Sequence, residues 1–444
     1  MITVPSLRCR RLNEHPANPD GDYVLYWMTA FRRLSWNFAL DRALEHCRQL
    51  KRPLLILEPL RCAYPYASDR FHRFVIDGMA DNAKAAKRHG CLNYMPYVEP
   101  AVGEGQGLLA ALAQRACVVV GDDCPSFFLP RMLAAAAIKL PVSLEVVDSN
   151  GLLPLRAADR VYKRAVDMRR FLQRSLPEHL GDFPLADPLR GLRLPPFPEL
   201  PREVLQRWPA SDPQRIVLDQ LPIDHTVPVV PGIRGGSRAG AQRLLEFLDH
   251  DLSGYGANRN HPDQEGSSRL SPYIHFGHVG THQIFDAIVA REDWSPALLS
   301  PKGRGQREGW WQMSSGAEAF VDQVVTWREL GFNMAWQRRD TREYDSLPDW
   351  ARQTLAEHGA DPRPYCYSPE ELDQAKTHDP VWNAAQPQLR REGRIHNYLR
   401  MLWGKKILEW SRTPQAAAAV MLELNDRYAL DGRDPNSNSG IFWC

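Results

Sequence analysis

The sequence lacks the features that mark several common classes of protein. Its eight cysteines are scattered, without the CxxC or CxxH spacing of a zinc site or the density of a disulfide framework. No apolar run is long enough to span a membrane, and the N-terminal segment has no signal-peptide core. These absences predict a reduced, cytoplasmic protein with no bound metal.

An excess of charge of one sign is also missing, because the formal net charge is only +2 over 444 residues. Any binding of nucleic acid must therefore come from a local patch, for which the arginine-rich usage is suited. The N-terminal half contains neither a GxGxxG nor a Walker sequence. A conventional dinucleotide or NTP site is therefore not expected there.

The N-terminal half does contain alternating strand-like and helix-like segments, over residues 20–155. Apolar runs such as "YVLYWM", "PLLILEPL", "CVVVGDD" and "PVSLEVVD" are separated by helical patterns such as "FALDRALEHCRQL". This alternation predicts a doubly wound, parallel α/β domain. The crevice at its switch point is either a plain scaffold feature or a ligand site.

Two further regions follow. Residues 156–238 are rich in proline and arginine, which is typical of an inter-domain linker. Residues 239–444 have only helical patterns, and they contain most of the 13 tryptophans. We therefore predict an all-helical C-terminal domain.

Trp403 and Trp410 are seven residues apart in "RMLWGKKILEW", so they share one face of a predicted helix. Spacing alone favours two ordinary core residues. In "THDPVWNAAQ", Asp379 is a suitable N-cap with Pro380 at the first helical position. Trp382 then lies in the first turn.

Two polar segments suggest a site. In "SSRLSPYIHFG", serines stand at a helix start, which forms either an anion site suited to a diphosphate or an ordinary cap. The loop "LDGRDPN" contains Asp431, Arg433 and Asp434, more charge than a turn requires. This loop is either a solvated turn or a buried or ligand-facing ion network, and the sequence does not distinguish between them.

Taken together, these segments resemble class II cyclobutane pyrimidine dimer photolyases of the photolyase/cryptochrome superfamily. The resemblance rests on "SRLSPYIHFG", "WREL", "YDSLPDWARQTL", "KTHDPVWNAAQ", "HNYLRMLWGKKILEW" and "LNDRYALDGRDPN", in order over residues 245–443. The N-terminal half matches in architecture and in "YVLYWM…NFAL" alone. The resemblance implies an α/β domain, a linker and a helical domain that encloses FAD.

The resemblance also implies the roles of the flavin-site residues. FAD would be contacted by Tyr255, Ser268, Leu270, Ser271, Arg400, Asn425 and Asp431. Among these, Arg400 and Asp431 would form a salt bridge against the flavin ring, and Asn425 would face its N5 atom. Electron-transfer tryptophans would be Trp403 beside the flavin, then Trp382, with Trp410 as an outer relay or a packing residue.

Further positions are implied for the binding of damaged double-stranded DNA. Trp327, Met401 and Trp443 would stack on a flipped-out dimer, and Arg259 would lie in the loop that fills the space the dimer leaves. Phosphate contacts or simple solvated charges would come from Lys405, Lys406, Arg390, Arg391 and Arg394.

The sequence departs from the family pattern in three places. Gln323 stands where the family has a glutamate that hydrogen-bonds the dimer, and the neighbouring Asp322 should point about 100° away on a helix. "TAFRRLSWN" replaces the charged motif after the first strand. The chain ends at Cys444 whereas the family continues, so we expect a truncated sequence.

The leading hypothesis is a light-driven DNA repair lyase that splits pyrimidine dimers by electron transfer from reduced FAD. It would be a monomer without an obligate protein partner, associated with the nucleoid when bound to DNA. Gln323 favours an alternative, a cryptochrome-like FAD photosensor without repair activity. A remnant that has lost flavin is a third hypothesis, and a second, antenna chromophore in the α/β domain is left open.

Overall fold

The computed structural model describes residues 3–90 and 92–444. Cys91, in the segment that precedes the fourth strand, lies outside them. The N-terminal half contains a six-stranded sheet of order β1-β6-β5-β2-β3-β4. Its strands are β1 (Cys9–Arg11), β2 (Tyr23–Trp27), β3 (Leu54–Leu60), β4 (Asn93–Val98), β5 (Ala116–Asp122) and β6 (Leu144–Val147). All neighbours pair parallel except β1, which pairs antiparallel with β6.

Helices cover both faces of this sheet because its central strands are buried on both sides. Along β2, Val24 and Tyr26 pack into one core, whereas Leu25 and Trp27 pack into the core on the opposite face. The helices are α1 (Phe38–Leu50), α2 (Asp69–His89), α3 (Leu108–Ala113) and α4 (Leu129–Lys139). The predicted doubly wound α/β fold is confirmed, with β1 as an unpredicted edge strand.

The proline-rich segment packs against both halves of the molecule. It contains two complete α-helices, α5 (Ala165–Ser175) and α6 (Arg202–Arg207). Met168 and Leu172 of α5 lie in the same core as Phe247 of the helical half, whereas Trp208 packs into a core of the sheet. Residues 156–238 thus contact both domains. The exact limits of the three regions stay a prediction.

The C-terminal half is helical, as predicted. Its helices are α7 (Ser237–His250), α8 (Tyr255–Asn258), α9 (Ser271–His275), α10 (Thr281–Glu292), α11 (Ser315–Val321), α12 (Arg328–Gln337), α13 (Asp349–Glu357), α14 (Pro369–Asp373), α15 (Pro380–Glu392), α16 (Asn397–Trp410), α17 (Pro414–Tyr428) and α18 (Pro435–Ile441). A π-helical turn, Asp322–Trp327, joins α11 to α12. Within the described residues, no helix is both long and apolar enough to cross a membrane.

Candidate flavin and DNA site

A cavity of about 900 Å³ opens between the helices of the C-terminal half. Segments that are far apart in sequence meet there: α8 and α9, the π-helical turn, the start of α16 and the loop before α18. The predicted site residues on its wall are Tyr255, Arg259, Ser268, Ser271, Gln323, Trp327, Arg400, Met401, Trp403 and Asp431. One cavity therefore brings together residues predicted separately for the flavin and for the lesion.

Arg400 is the centre of a polar network on this wall. Its Nη1 atom lies 3.2 Å from Asp431 Oδ1, and its Nη2 atom donates to Ser437 Oγ at 2.9 Å. It also donates to the amide oxygen of Asn425. The pair is only partly buried, so it keeps contact with the cavity while each residue offsets the charge of the other.

Asn425 lies behind Arg400 instead of on the cavity wall, where the resemblance would place it. It is buried, and its amide nitrogen donates to Gly432 O at 2.7 Å and to Ser437 Oγ at 3.0 Å. The physical reason is that Arg400 and the backbone of the "LDGRDPN" loop already take up both ends of its amide. Ser437 joins Arg400 to Asn425 and was not predicted. It lies in a run of similar polar residues, so nothing in the sequence marks it as a site residue.

The serines line the opposite part of the cavity. Ser271 begins α9, and no hydrogen bond of its hydroxyl occurs within the described residues. Ser268 Oγ accepts from the backbone N–H of Leu270 at 3.4 Å, and Arg243 Nε donates to the Ser268 carbonyl at 2.9 Å. Leu270 itself is fully buried, so its side chain serves the core and only its backbone is near the site.

Aromatic and thioether groups form an apolar part of the wall. Trp327 faces the cavity, and the ring of Trp443 meets it edge to face with centroids 5.4 Å apart. Trp443 is half exposed and Met401 lines the cavity beside Trp403. Aromatic ring faces on such a wall suit the stacking of unpaired bases.

The π-helical turn aims two side chains at the cavity. Gln323 and Trp327 are its partly exposed residues, whereas the others in the turn are buried. Asp322 points the other way, as expected, and forms a two-pronged salt bridge with Arg169 at 2.9 and 3.1 Å. Asp322 is therefore not a proton donor for the cavity. Wider helical turns often occur at functional sites.

Arg259 lies inside the cavity, which differs from its expected place in a DNA-facing loop. Its Nη2 atom donates to Gln323 Oε1 at 3.0 Å, and its guanidinium lies over the Tyr255 ring at 5.5 Å. The Nη1 atom is buried and has no partner among the described residues. An acceptor and a ring face draw the guanidinium inward.

The three predicted electron-transfer tryptophans form a continuous row. Trp403 and Trp382 are stacked with centroids 6.4 Å apart and an interplanar angle of 1°, and Trp410 meets Trp382 edge-on at 5.7 Å. All three are buried, and Trp403 is the member that reaches the cavity wall. The order from the cavity outward is thus Trp403, Trp382, Trp410.

Local structure explains how the row is held. Asp379 caps α15 as predicted, accepting from the N–H groups of Val381 and Trp382 at 2.9 and 3.0 Å. The indole N–H of Trp382 donates to Trp403 O at 3.1 Å. The indole N–H of Trp403 donates to Gln386 Oε1 at 3.0 Å. Gln386, which was not predicted, ends the "THDPVWNAAQ" motif.

The predicted phosphate-contacting cations lie on exposed or partly exposed surface, and several already have partners. Lys406 pairs with Glu409 and Arg391 with Glu392, each at 2.8 Å. Arg394 lies 3.2 Å from Glu265. Arg390 donates to a backbone carbonyl, and Lys405 is exposed with no ion pair among the described residues. Such surface pairs are weak and exchange readily with phosphate.

The "LDGRDPN" loop joins the site to the α/β domain. Asp434 lies 3.6 Å from both Arg328 and His275, so the loop carries a buried ion network. Ser126 Oγ donates to the Arg433 carbonyl at 2.8 Å, and the Arg433 guanidinium lies 3.6 Å above the Phe71 ring. Of the two alternatives for this loop, the buried network is the one observed.

A second cavity, of about 590 Å³, lies between the two halves of the molecule. It opens beyond the carboxyl ends of β2, β3 and β5. The chain runs from β2 outward to β3 and β4 and resumes at β5 on the other side of β2, so the strand order reverses between β2 and β5. Trp27, Leu57 and Phe128 contribute to its wall, and Arg32 pairs with buried Glu58 at 3.0 Å. Such a switch point is the usual ligand crevice of a doubly wound fold.

Comparison with known proteins identifies the family. The chain is 33% identical over 438 residues to the deoxyribodipyrimidine photo-lyase of Methanothermobacter thermautotrophicus, covering 98% of this chain and 89% of the relative. The chain belongs to the deoxyribodipyrimidine photo-lyase family. The photo-lyase of Oryza sativa subsp. japonica is 31% identical over 460 residues, covering 98% of this chain and 82% of that relative.

A solved structure supports the fold of this photo-lyase family member. The class III photolyase from Agrobacterium tumefaciens superimposes with a TM-score of 0.65 at 17% identity, covering 95% of this chain and 79% of that one. No family model matches the chain. The predicted membership of the photolyase/cryptochrome superfamily is confirmed by the two photo-lyase relatives.

Proposed function

We propose that this protein is a light-driven DNA repair lyase of the class II type, which splits cyclobutane pyrimidine dimers in double-stranded DNA. The observation that carries the proposal is the junction at Trp403. There, a cavity with polar and apolar walls meets a buried row of three tryptophans. A site for binding and a path for electrons are thus joined at one residue.

The cavity residues fit FAD. The volume is sufficient for a large cofactor, and polar donors occur on several sides of it. Buried atoms without a partner among the described residues include Arg259 Nη1 and His396 Nε2. Ser268 and Ser271 would hold the diphosphate, and Arg400 with Asp431 would flank the ring system. FAD, when bound, supplies the chromophore that accepts and donates single electrons.

The tryptophan row would deliver electrons to the cavity wall. Trp403 would give up an electron at the cavity wall first, Trp382 would then refill Trp403, and Trp410 would refill Trp382, so that the oxidised indole lies farther from the site after each step. The close contacts within the row support this order. Burial keeps water from the indoles, and the rings need little rearrangement when their charge changes.

The apolar wall would hold the flipped-out dimer. Trp327 and Met401, with Trp443 at the rim, offer flat surfaces to two splayed pyrimidines. Splitting the dimer breaks two carbon–carbon bonds, and the electron added to the dimer returns afterwards, so the reaction is redox-neutral. Lys405, Lys406, Arg390, Arg391 and Arg394 would contact phosphates around the opening.

The domain assignment follows from the same proposal. Residues 20–155 form the α/β domain, residues 156–238 the linker, and residues 239–444 the catalytic domain. The cavity between the halves would hold a second, light-harvesting chromophore, because it combines aromatic walls with several cations. The protein would act as a monomer, with damaged DNA as its partner.

The test is repair of a duplex that contains a single thymine dimer. FAD-loaded, chemically reduced protein is illuminated with blue light, and the ultraviolet absorbance of the restored thymines is followed against a dark sample. We expect light-dependent recovery with the protein and none in the dark. A protein that binds no flavin under these conditions would contradict the proposal.

One observation favours a second candidate, a flavin photosensor without repair activity. Gln323 stands where the family has a glutamate that hydrogen-bonds the dimer, and an amide cannot supply a proton. The same experiment separates the two functions. Flavin photoreduction without any recovery of thymine absorbance would identify the sensor.

A further inference from the structure

Arg70 is a buried arginine of the sheet-containing half that reaches into the helical half. It lies in the first turn of α2 and is only 1% exposed. Its guanidinium donates to Tyr428 O at the end of α17, and to Leu389 O and Arg390 O near the end of α15. Its Nε atom donates to Pro228 O at 3.2 Å, in the proline-rich segment. One side chain thus ties α2 to two helices of the C-terminal half.

The positive charge of Arg70 is stabilised by helix ends. No carboxylate contributes to its electrostatic surroundings in the part of the chain that the structure describes, and burial lowers its pKa to about 10. The side chain therefore stays charged near neutral pH. Its acceptors are carbonyls at the C-terminal ends of two helices, where the helix dipole is negative and the last carbonyls lack helical partners.

Both helix ends lead directly into the predicted flavin site. The turn after α15 passes through Gly393 to α16, which contains Arg400. The turn after α17 passes through Leu430 to Asp431. The Leu430 N–H group donates to Gly393 O at 2.9 Å. A Cβ atom on Gly393 would lie 3.1 Å from Leu430 Cγ, so the two turns are packed closely together.

The spacing of Arg400 and Asp431 therefore depends on how these turns are held. Arg400 Nη1 and Asp431 Oδ1 are 3.2 Å apart, and each residue follows shortly after a carbonyl that Arg70 binds. Without the guanidinium, those carbonyls would be buried and unpaired, which opposes close packing of the two helix ends. The turns would then separate, and Arg400 would move relative to the cavity.

We propose that Arg70 is a positioning residue for the flavin site, which sets the spacing of Arg400 and Asp431 by joining the ends of α15 and α17. This inference rests on the proposed FAD site. The walls of both cavities are formed without Arg70, so it acts only through other residues. A guanidinium close to the ring favours the negative charge that flavin gains on reduction. Loss of Arg70 should therefore make bound flavin harder to reduce.

The test is the midpoint potential of FAD bound to Arg70→Met, measured in the dark by anaerobic redox titration against a reference dye. We expect the equilibrium constant for flavin reduction to fall about tenfold, since a charged hydrogen-bonding group moves away from the ring. The dissociation constant of oxidised FAD, followed by quenching of its fluorescence, should rise about threefold. An unchanged potential in FAD-loaded Arg70→Met would overturn the proposal.

Arg70→Lys separates the bridging role from the charge. An ammonium keeps a cation at the helix ends, but its donors lie on a single atom and cannot span both ends as the forked guanidinium does. Denaturant unfolding should show most of the stability retained, whereas the potential should still fall. A normal potential in Arg70→Lys would contradict the positioning role. If Arg70→Met does not fold, Arg70→Lys decides the outcome.

Arg8→Met is the matched control. Arg8 is equally buried in the same half of the molecule, and it donates to Gly151 O and Leu152 O at 3.2 and 2.6 Å, which belong to neither turn. This variant should lose stability as Arg70→Met does, with the potential of bound FAD unchanged. An equal fall of the potential in Arg8→Met would remove the specific role of Arg70.

A double-mutant cycle identifies the pair through which Arg70 acts. Asp431→Asn already removes the ion pair, so at saturating FAD the addition of Arg70→Met should lower the potential no further. Additive changes would contradict this route. If the unmodified protein binds no FAD, the proposed function fails. If it binds FAD and the potential is the same in every Arg70 variant, this inference fails alone.

Discussion

The cavity and the tryptophan row share Trp403, but they differ in how many of their buried polar atoms have hydrogen-bond partners. Around the cavity, Arg259 Nη1 and His396 Nε2 are buried without a partner among the described residues. In the row, the N–H groups of Trp403 and Trp382 donate to protein oxygens. Trp410 Nε1, at the outer end, is an exception.

The unpaired donors indicate that the cavity wall is shaped to bind a ligand. The tryptophan row, in contrast, needs no ligand to complete its contacts. Buried donors are costly when unpaired, so a cavity that contains them is built for something that brings acceptors. The row needs contact between rings and exclusion of water, which packing alone supplies. Mutations in the two regions should therefore affect different measurements.

The largest effect is expected in the row. Trp403→Phe should slow photoreduction of bound flavin by about 100-fold or more, because phenylalanine is much harder to oxidise and breaks the path at its inner end. Flavin content should change little. The measurement is flavin bleaching under blue light with an external reductant. Trp208→Phe, in a core of the sheet, is the control, and equal slowing there would remove the distinction.

A large effect on flavin content is expected from Arg400→Met. The substitution leaves Asp431 and Asn425 without their shared donor, which should weaken flavin binding by about 2–4 kcal/mol. Flavin retained after gel filtration, read from its visible absorbance, measures the loss. Arg412→Met, an exposed position just after α16, should retain normal flavin content. Full retention in Arg400→Met would place the flavin elsewhere.

Trp327→Ala should affect the binding of damaged DNA and spare photoreduction. Loss of one stacking surface should weaken binding of the dimer-containing duplex by about 1–3 kcal/mol. Affinity for the undamaged duplex provides the control and should not change. If both affinities fell equally, Trp327 would contact DNA generally instead of the flipped lesion.

Glu329→Gln should alter stability and neither function. Glu329 is buried between the halves, accepts from the Leu153 N–H at 3.2 Å, and burial raises its pKa to about 7. The folded state holds this proton more tightly than the unfolded chain, so stability falls as pH rises from the unfolded value toward 7. The variant should be about 1–3 kcal/mol more stable at pH 8 and nearly unchanged at pH 4.

Denaturant unfolding at the two pH values measures this difference. Flavin content and photoreduction serve as controls, because Glu329 reaches neither the tryptophan row nor the cavity wall. A variant that was less stable at pH 8 would show that the ionised carboxylate is stabilised by Arg328 more than burial opposes it.

Apolar runs and capping residues made much of the fold predictable. The runs at β2, β3 and β5 are buried on both faces, and Asp379 caps α15 as expected. The edge strand β1 was missed because Cys9–Arg11 is short, charged and partly exposed. Edge strands pair on one side, so their sequences need not be apolar.

The sequence predicted which residues meet at the site better than it predicted where their side chains lie. Motif positions identified Arg400, Asp431 and the tryptophans, which do meet in space. The inward turn of Arg259, the position of Asn425 behind Arg400 and the π-helical turn depend on contacts between distant segments. Gln386 and Ser437 are ordinary polar residues in sequence, and only the folded chain brings them to Trp403 and Arg400.

The most direct test of the division between the two regions uses Trp403→Phe that has been loaded with FAD and reduced chemically. With a duplex containing a single thymine dimer, repair per absorbed photon is measured under blue light without oxygen. Because the proposed role of the row is only to supply reduced flavin, we predict repair within about twofold of that of the unmodified protein. Loss of repair in the chemically reduced variant would contradict the account, since Trp403 would then be part of the repair reaction itself.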